Sequence, residues 1–195
     1  MTVVCNLFGG PGSGKSTTAT GVFSRLKQRG VNCELVTEYA KDAVWDRAEA
    51  LLQNQLHVFA QQFHRQWRLL GKVDFIITDS PILLSAVYLL YSNEKEPTRF
   101  FSPDYMDRME AFMRDTFRQF DNLNIFIRRS KPYQPIGRLQ TEDEARGIDD
   151  LNLGYLAANG FPYSMTDSER AISFVMNRLT TLYPDKVPKD YVEPI

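Results

Sequence analysis

The chain has 195 residues, 43% of them hydrophobic, and its 23 Lys plus Arg nearly balance 24 Asp plus Glu for a formal net charge of -1. That length suits one compact domain with a sizeable core, and the even charge excludes a global pull toward nucleic acid or an anionic membrane. With 24% charged and 12% aromatic residues, disorder, collagen-like repeats and fibrous structure are excluded as well. The two cysteines, Cys5 and Cys33, sit in apolar strand-like runs and cannot make a disulfide framework, so a reducing compartment fits best. Met1 leads straight into an apolar run with no basic region or cleavage site, and nowhere do about 18 apolar residues follow one another. The expectation is a cytoplasmic protein with no export signal and no membrane span.

Residues 2–8 (TVVCNLF) are β-branched and apolar and stop at Gly9 and Gly10, the pattern of a buried parallel strand. Ala19, Val22 and Leu26 then recur at helical spacing over 15–28, with Gly30 as the stop. Residues 31–37 read as a second strand, followed by a helical stretch over 38–50. Leu52, Leu56, Phe59, Phe63, Trp67 and Leu70 mark one face of a long amphipathic helix that ends at Gly71. A third strand is expected over 73–78, closing on Asp79-Ser80-Pro81, with a helix over 82–90 after the proline. Residues 91–103 are polar and irregular. Met106, Met109, Phe112, Met113, Phe117 and Phe120 predict a helix over 105–120, and 123–127 (LNIFI) a fourth strand. A basic loop covers 128–140. Thr141 with Glu144 three residues on predicts a capped helix to about Ala158, then a fifth strand over 161–165 and a last helix over 167–183.

Strands alternating with helices predict a three-layer α/β/α domain over 1–183 with a five-stranded parallel sheet, leaving 184–195 as a proline-containing tail. Ligands bind such sheets at the carboxyl ends of the strands. That rule collects residues 9–16, Glu38, Asp79 and the basic loop along one rim.

The segment Gly9-Gly10-Pro11-Gly12-Ser13-Gly14-Lys15-Ser16 satisfies G-x-x-x-x-G-K-[ST] between a predicted strand and a predicted helix. Glycines there let backbone N–H groups converge on an anion at the positive end of a helix. Gly10, Pro11, Gly12, Ser13, Gly14, Lys15, Ser16 and Thr17 are therefore the candidate nucleotide-binding residues. Lys15 is expected to reach the β- and γ-phosphates, and the Ser16 hydroxyl to take a Mg²⁺ position. Asp79, at the end of an apolar strand, is the second candidate metal residue, and Asp74 lies too early on that strand to reach the rim. Glu38 ends the second strand and is the candidate base, with Asp42 one turn later able to share its role. Arg128, Arg129, Lys131 and Arg138 give the loop four cations and no acid, as expected of a lid over about 128–146. Arg128 and Arg138 are candidates for transition-state charge, and Arg129 for nucleotide binding. His57 and His64, seven apart with no completing cluster, are not expected to bind metal. Tyr88, Tyr91, Phe100, Phe101 and Tyr105 flank the irregular segment, where they can stack on a ring or serve the core.

On these motifs the chain resembles the P-loop nucleoside and nucleotide kinases, more narrowly the kinase-like ATPase group that includes ribosylnicotinamide kinase and many bacterial and bacteriophage proteins. The resemblance spans most of residues 2–183. GGPGSGKS carries it, supported by Glu38-Tyr39-Ala40, by IITDSP at 76–81, and by the 138–149 stretch with its flanking Gly137. It implies that Glu38 acts as base or metal-water ligand and that Arg128, Arg129 and Arg138 contact phosphates. Asp79-Ser80-Pro81 stands where deoxynucleoside kinases carry Glu-Arg-Ser.

The resulting expectation is an ATP- and Mg²⁺-dependent kinase acting on a nucleoside, nucleotide or nucleoside-like small molecule. An acceptor hydroxyl on a hydroxymethylated base in DNA is one alternative, which the near-neutral charge disfavours. A nucleotide-dependent ATPase or switch without an acceptor is another, although no guanine-reading Asn-Lys-x-Asp and no Leu-Ser-Gly-Gly-Gln signature occur. The length also leaves little room for the separate helical lid domain of a hexameric ATPase. The sequence leaves the oligomeric state open, with a homodimer as one option.

Overall fold

The structure is a computed structural model that describes residues 1–95, 101–137 and 139–188, apart from the side chain of Glu49. Five strands form one sheet: β1 (Val3–Phe8), β2 (Cys33–Val36), β3 (Phe75–Thr78), β4 (Asp121–Arg128) and β5 (Ser164–Asp167). Their order is β2-β3-β1-β4-β5, and every pairing is parallel. Among the described residues, seven α-helices connect or flank them: α1 (Lys15–Gln28), α2 (Tyr39–Trp45), α3 (Gln55–Trp67), α4 (Leu84–Lys95), α5 (Pro103–Phe117), α6 (Glu142–Ala158) and α7 (Ala171–Leu182).

The two-residue period of the strands sorts the core into two layers. Val3, Cys5 and Leu7 of β1 face one side with Val22 and Leu26 of α1 and Val175 and Leu179 of α7. Phe8 and Phe126 face the other, with Phe59 of α3, Met113 and Phe117 of α5 and Leu156 of α6. Phe117 meets Phe8 and Phe161 edge-on, at centroid distances of 6.2 and 5.2 Å. Parallel strands covered on both faces need near-continuous apolar runs, as β1 and β3 have. The expected α/β/α layering and five-stranded parallel sheet are therefore what the chain adopts.

Local chemistry shifts several boundaries. The helix expected over 38–50 ends at Trp45, because Arg47 takes a left-handed φ of 54°. A short 3₁₀ turn, Glu49–Gln53, follows before Asn54 caps α3 by accepting the His57 N–H at 3.1 Å. The apolar period thus runs through Leu52 although the helical backbone does not. Ser102 caps α5 with Pro103 in its first turn, so that helix starts two residues earlier than the methionine spacing suggests. The fifth strand lies at Ser164–Asp167 rather than 161–165, since Phe161 packs into the core after α6 and Pro162 has no N–H to pair. The strand that does form is polar, as an exposed edge allows. Beyond α7, Val187 is fully buried and Lys186 pairs with Asp74 at 3.0 Å, so 184–188 pack on the domain where a tail was expected. Positions 189–195 lie outside the described residues.

The expected cap on α6 is present in full: Thr141 accepts the Glu144 N–H at 3.3 Å while Glu144 accepts the Thr141 N–H at 2.8 Å. This fixes where α6 begins and so which of its residues face β1. Replacing Thr141 with Ala is expected to lower stability by about 1 kcal/mol, read as a shift in the urea midpoint at unchanged slope.

Candidate phosphate site

β1 lies between β3 and β4, with β2 beyond β3. Their carboxyl ends therefore deliver the Gly9 loop, Asp79, Arg129 and Glu38 to neighbouring places on one rim. The loop runs into α1, whose N-cap is Gly14 at φ 99° with no side-chain cap and no acid in the first turn. A helix start leaves its first N–H groups without helical partners, and here no side chain covers them. A 14-residue helix thus presents bare amides and the positive end of its dipole to the rim.

Lys15 is held inside this loop, donating to Gly9 O at 2.6 Å and Gly10 O at 2.9 Å. Burial draws its ammonium below the usual lysine range, and nearby Glu38, Asp79 and Asp149 carboxylates oppose that shift, while Arg129 adds to it. Glu38 shows the converse. Burial raises its carboxyl above the ordinary range, Lys15 opposes, and Asp79 raises it further. Asp79 is 4% exposed, and its Oδ1 has no hydrogen-bond partner. A buried carboxylate oxygen without a donor fits a divalent cation. No cluster of three or more His, Cys, Asp or Glu able to hold a metal occurs among the described residues.

The turn carrying Glu38 is braced from α3. Gln62, 3% exposed, accepts the Tyr39 N–H at 2.9 Å and donates to Thr37 O at 3.3 Å, gripping the backbone on both sides of Glu38. Arg65 adds a bond to Thr37 O at 3.2 Å and an ion pair with Asp42 at 2.5 Å. Asp42 is thereby engaged away from any shared base role. Tyr39 Oη lies 2.8 Å from His57 Nε2, which gives that histidine a structural task. Tyr88 faces the same space: burial first, then Glu38, raises its phenol, so its hydroxyl stays protonated.

The candidate arginines separate. Arg129, whose side chain is 5% exposed, donates to Pro11 O at 2.7 Å and pairs with Asp149 of α6 at 2.9 Å. Asp149 Oδ1 also accepts the Gly10 N–H. Arg128 is exposed and paired with Asp167 at 3.0 Å, where both line a shallow groove of about 370 Å³ beside β5 and α7. Arg138 and Phe100 lie outside the described residues. The basic loop approaches the phosphate loop closely, since a Cβ on Gly12 would stand 3.0 Å from the Tyr133 ring and 3.1 Å from the Arg129 guanidinium. Residues 142–146, included in the expected lid, form the first turn of α6. Gln62, Tyr133 and Asp149 carried no motif of their own. Asp149 closes the recognised 138–149 stretch, but nothing in its spacing reveals its partner 20 residues away.

A family model described as an AAA domain matches residues 4–170. The chain belongs to that family. No curated protein matches it. Among solved structures, deoxyadenosine kinase from M. mycoides with bound dATP is similar at TM-score 0.61 and 18% identity, over 91% of this chain and 99% of that one. The same kinase with dCMP and a flexible dCDP gives 0.59 at 16% over 92% and 99%, and with dCTP 0.58 at 15% over 91% and 99%. At these identities the likeness establishes the P-loop nucleoside-kinase type of fold. No helix among the described residues is long and apolar enough to cross a membrane.

Gly10 is packed without slack: a Cβ there would lie 2.4 Å from Ala145 O and 2.9 Å from Asp149 Oδ1, whereas one on Gly154 meets nothing within 4 Å. Gly10→Ala is expected to cost about 1–3 kcal/mol by overpacking. Gly154→Ala, in the same helix contact's outer stretch, is expected to stabilise by about 0.5–1 kcal/mol. Urea denaturation of both variants checks the pair.

Proposed function

We propose that the protein is an ATP- and Mg²⁺-dependent phosphotransferase that moves the γ-phosphoryl group to a nucleoside, nucleotide or nucleoside-like acceptor. One observation carries this reading: an uncapped helix start, the half-buried Lys15 ammonium, two carboxylates and the Arg129 guanidinium converge on one rim. Phosphoryl transfer needs little covalent help from a protein, so positioned charge is what a site must supply. The fold it shares with a kinase solved with dATP and dCTP supports the same class of substrate.

In this reading the amides at the start of α1 hold the phosphates, and Lys15 leaves the Gly9 and Gly10 carbonyls to meet the β- and γ-oxygens. Ser16 and Asp79 would hold Mg²⁺, which would supply neutralisation of the phosphate charge. Arg129 stabilises charge on the transferred group. Glu38, braced by Gln62, accepts the proton of the acceptor hydroxyl, and the Tyr88 hydroxyl orients the acceptor. Arg128, paired with Asp167, would enter only if the loop rearranges around bound nucleotide.

The test is transfer of labelled γ-phosphate from ATP with Mg²⁺ to a panel of nucleosides, nucleoside monophosphates, nicotinamide riboside and DNA bearing hydroxymethylated pyrimidines. Transfer to one acceptor is expected, reduced at least about 100-fold by Lys15→Ala. ATP hydrolysis that no acceptor accelerates would instead identify a nucleotide-dependent switch.

The Glu38 base makes a second prediction. A base acts when deprotonated, and burial raises its pKa from the ordinary 4.5. The acid limb of kcat/KM should therefore lie above pH 4.5, with activity rising as pH rises through it. Glu38→Gln should lower kcat by about 10²–10⁴-fold and abolish that limb. A limb that persists in Glu38→Gln assigns the proton to another group.

A further inference from the structure

The ion pair between Arg129 and Asp149 is the most buried among the described side chains, at 5% and 15% exposure. A buried pair of this kind is weak evidence for stability, because desolvation offsets most of its attraction. Its geometry suggests what else it does. One Asp149 oxygen accepts the Gly10 N–H and the other receives Arg129 Nη2 at 2.9 Å, while Arg129 Nη1 donates to Pro11 O at 2.7 Å. The carboxylate thus fixes the guanidinium in two dimensions, from the first turn of the phosphate loop and from α6. Arg129 Nε is buried without a partner, and the guanidinium stands 3.1 Å from the place a Cβ on Gly12 would occupy. The arginine lies across the loop with donor capacity unspent.

We propose that Asp149 is the positioning residue of the phosphate site: with Nη2 shared between Asp149 and the Ala145 carbonyl, it holds Arg129 over the loop in a fixed orientation, so that the Nη1 N–H not used by Pro11 O meets a phosphate oxygen with the guanidinium already aligned. This deepens the kinase reading and rests on it. A guanidinium already oriented loses less rotamer freedom when an anion arrives than one free on a loop. The same contacts join α6 to the loop through Gly10, whose lack of a side chain lets the Ala145 carbonyl approach. Neither Asp149 nor Arg129 needs to change partner for this. The triphosphate adds bonds to a guanidinium that keeps its carboxylate.

The experiment is a double-mutant cycle on the affinity for Mg²⁺-ATP, measured by calorimetry, with Asp149→Asn, Arg129→Gln and the combination. Asn keeps an oxygen for the Gly10 N–H but turns an amide donor toward Arg129, so it removes the orientation and leaves the loop contact. Each single variant is expected to bind ATP at least tenfold more weakly with adenosine affinity unchanged, and the double variant to bind no more weakly than Arg129→Gln. Single losses that multiply in the double variant, or wild-type affinity in Asp149→Asn, overturn the proposal. A fall in adenosine affinity parallel to that for ATP also overturns it, since that is the mark of general structural damage. If the wild-type protein binds no nucleoside triphosphate, the kinase reading itself fails. Exchange of the Gly10 amide then decides the structural part: faster exchange in Asp149→Ala upholds the tether, and unchanged exchange overturns it.

Discussion

The half-buried Lys15 ammonium, tied to its own loop carbonyls, is the constraint around which the rim is organised. A lone charge removed from water is unfavourable by several kcal/mol unless opposite charges and hydrogen bonds accompany it. Here it is met by two backbone carbonyls of its own loop and by Glu38, Asp79 and Asp149 from three other segments. Burial also raises the Glu38 carboxyl, and Asp79 is almost wholly enclosed. The site therefore holds groups that each favour the arrival of further charge: bare helix amides for an anion, and an unpartnered Asp79 oxygen for a cation.

The topology makes this possible. With β1 between β3 and β4, the loop after β1 has an acid on one flank and an arginine on the other. Parallel pairing places all the strand ends on one side, and their helices return across the faces to bury the apolar strands. α3 and α6 then act beyond the core. α3 grips the Glu38 turn through Gln62 and Arg65, and α6 grips the loop through Asp149. Rigid elements thus set the geometry of residues that sit on turns, which is how a site on loops gains precision.

Much of this was legible in the residues themselves. The phosphate-loop motif named its own context of strand, loop and helix, and the capping box at Thr141 located α6 to the residue. The strand ends located Glu38 and Asp79 once a parallel sheet was inferred. Elsewhere local backbone chemistry overrides the apolar period: the Asn54 cap starts α3 after Leu52, and Pro162, with no N–H to pair, displaces the last strand. Charge alone could not separate Arg128 from Arg129. They are adjacent on the chain, but Arg128 is the last residue of β4, in register with Asp167 of the edge strand, while Arg129 leaves the strand and turns to Asp149 over the loop.

The sequence by itself determined the layering, the parallel sheet and the loop that meets phosphate, because those follow from periodicity, glycine and helix-start chemistry acting over a few neighbouring residues. Only the tertiary structure decided the partners of the charged groups. Gln62 against Thr37 and Tyr39, and Asp149 against Gly10 and Arg129, join residues between 20 and 139 positions apart. Such pairings depend on strand order and helix packing, which no local spacing encodes.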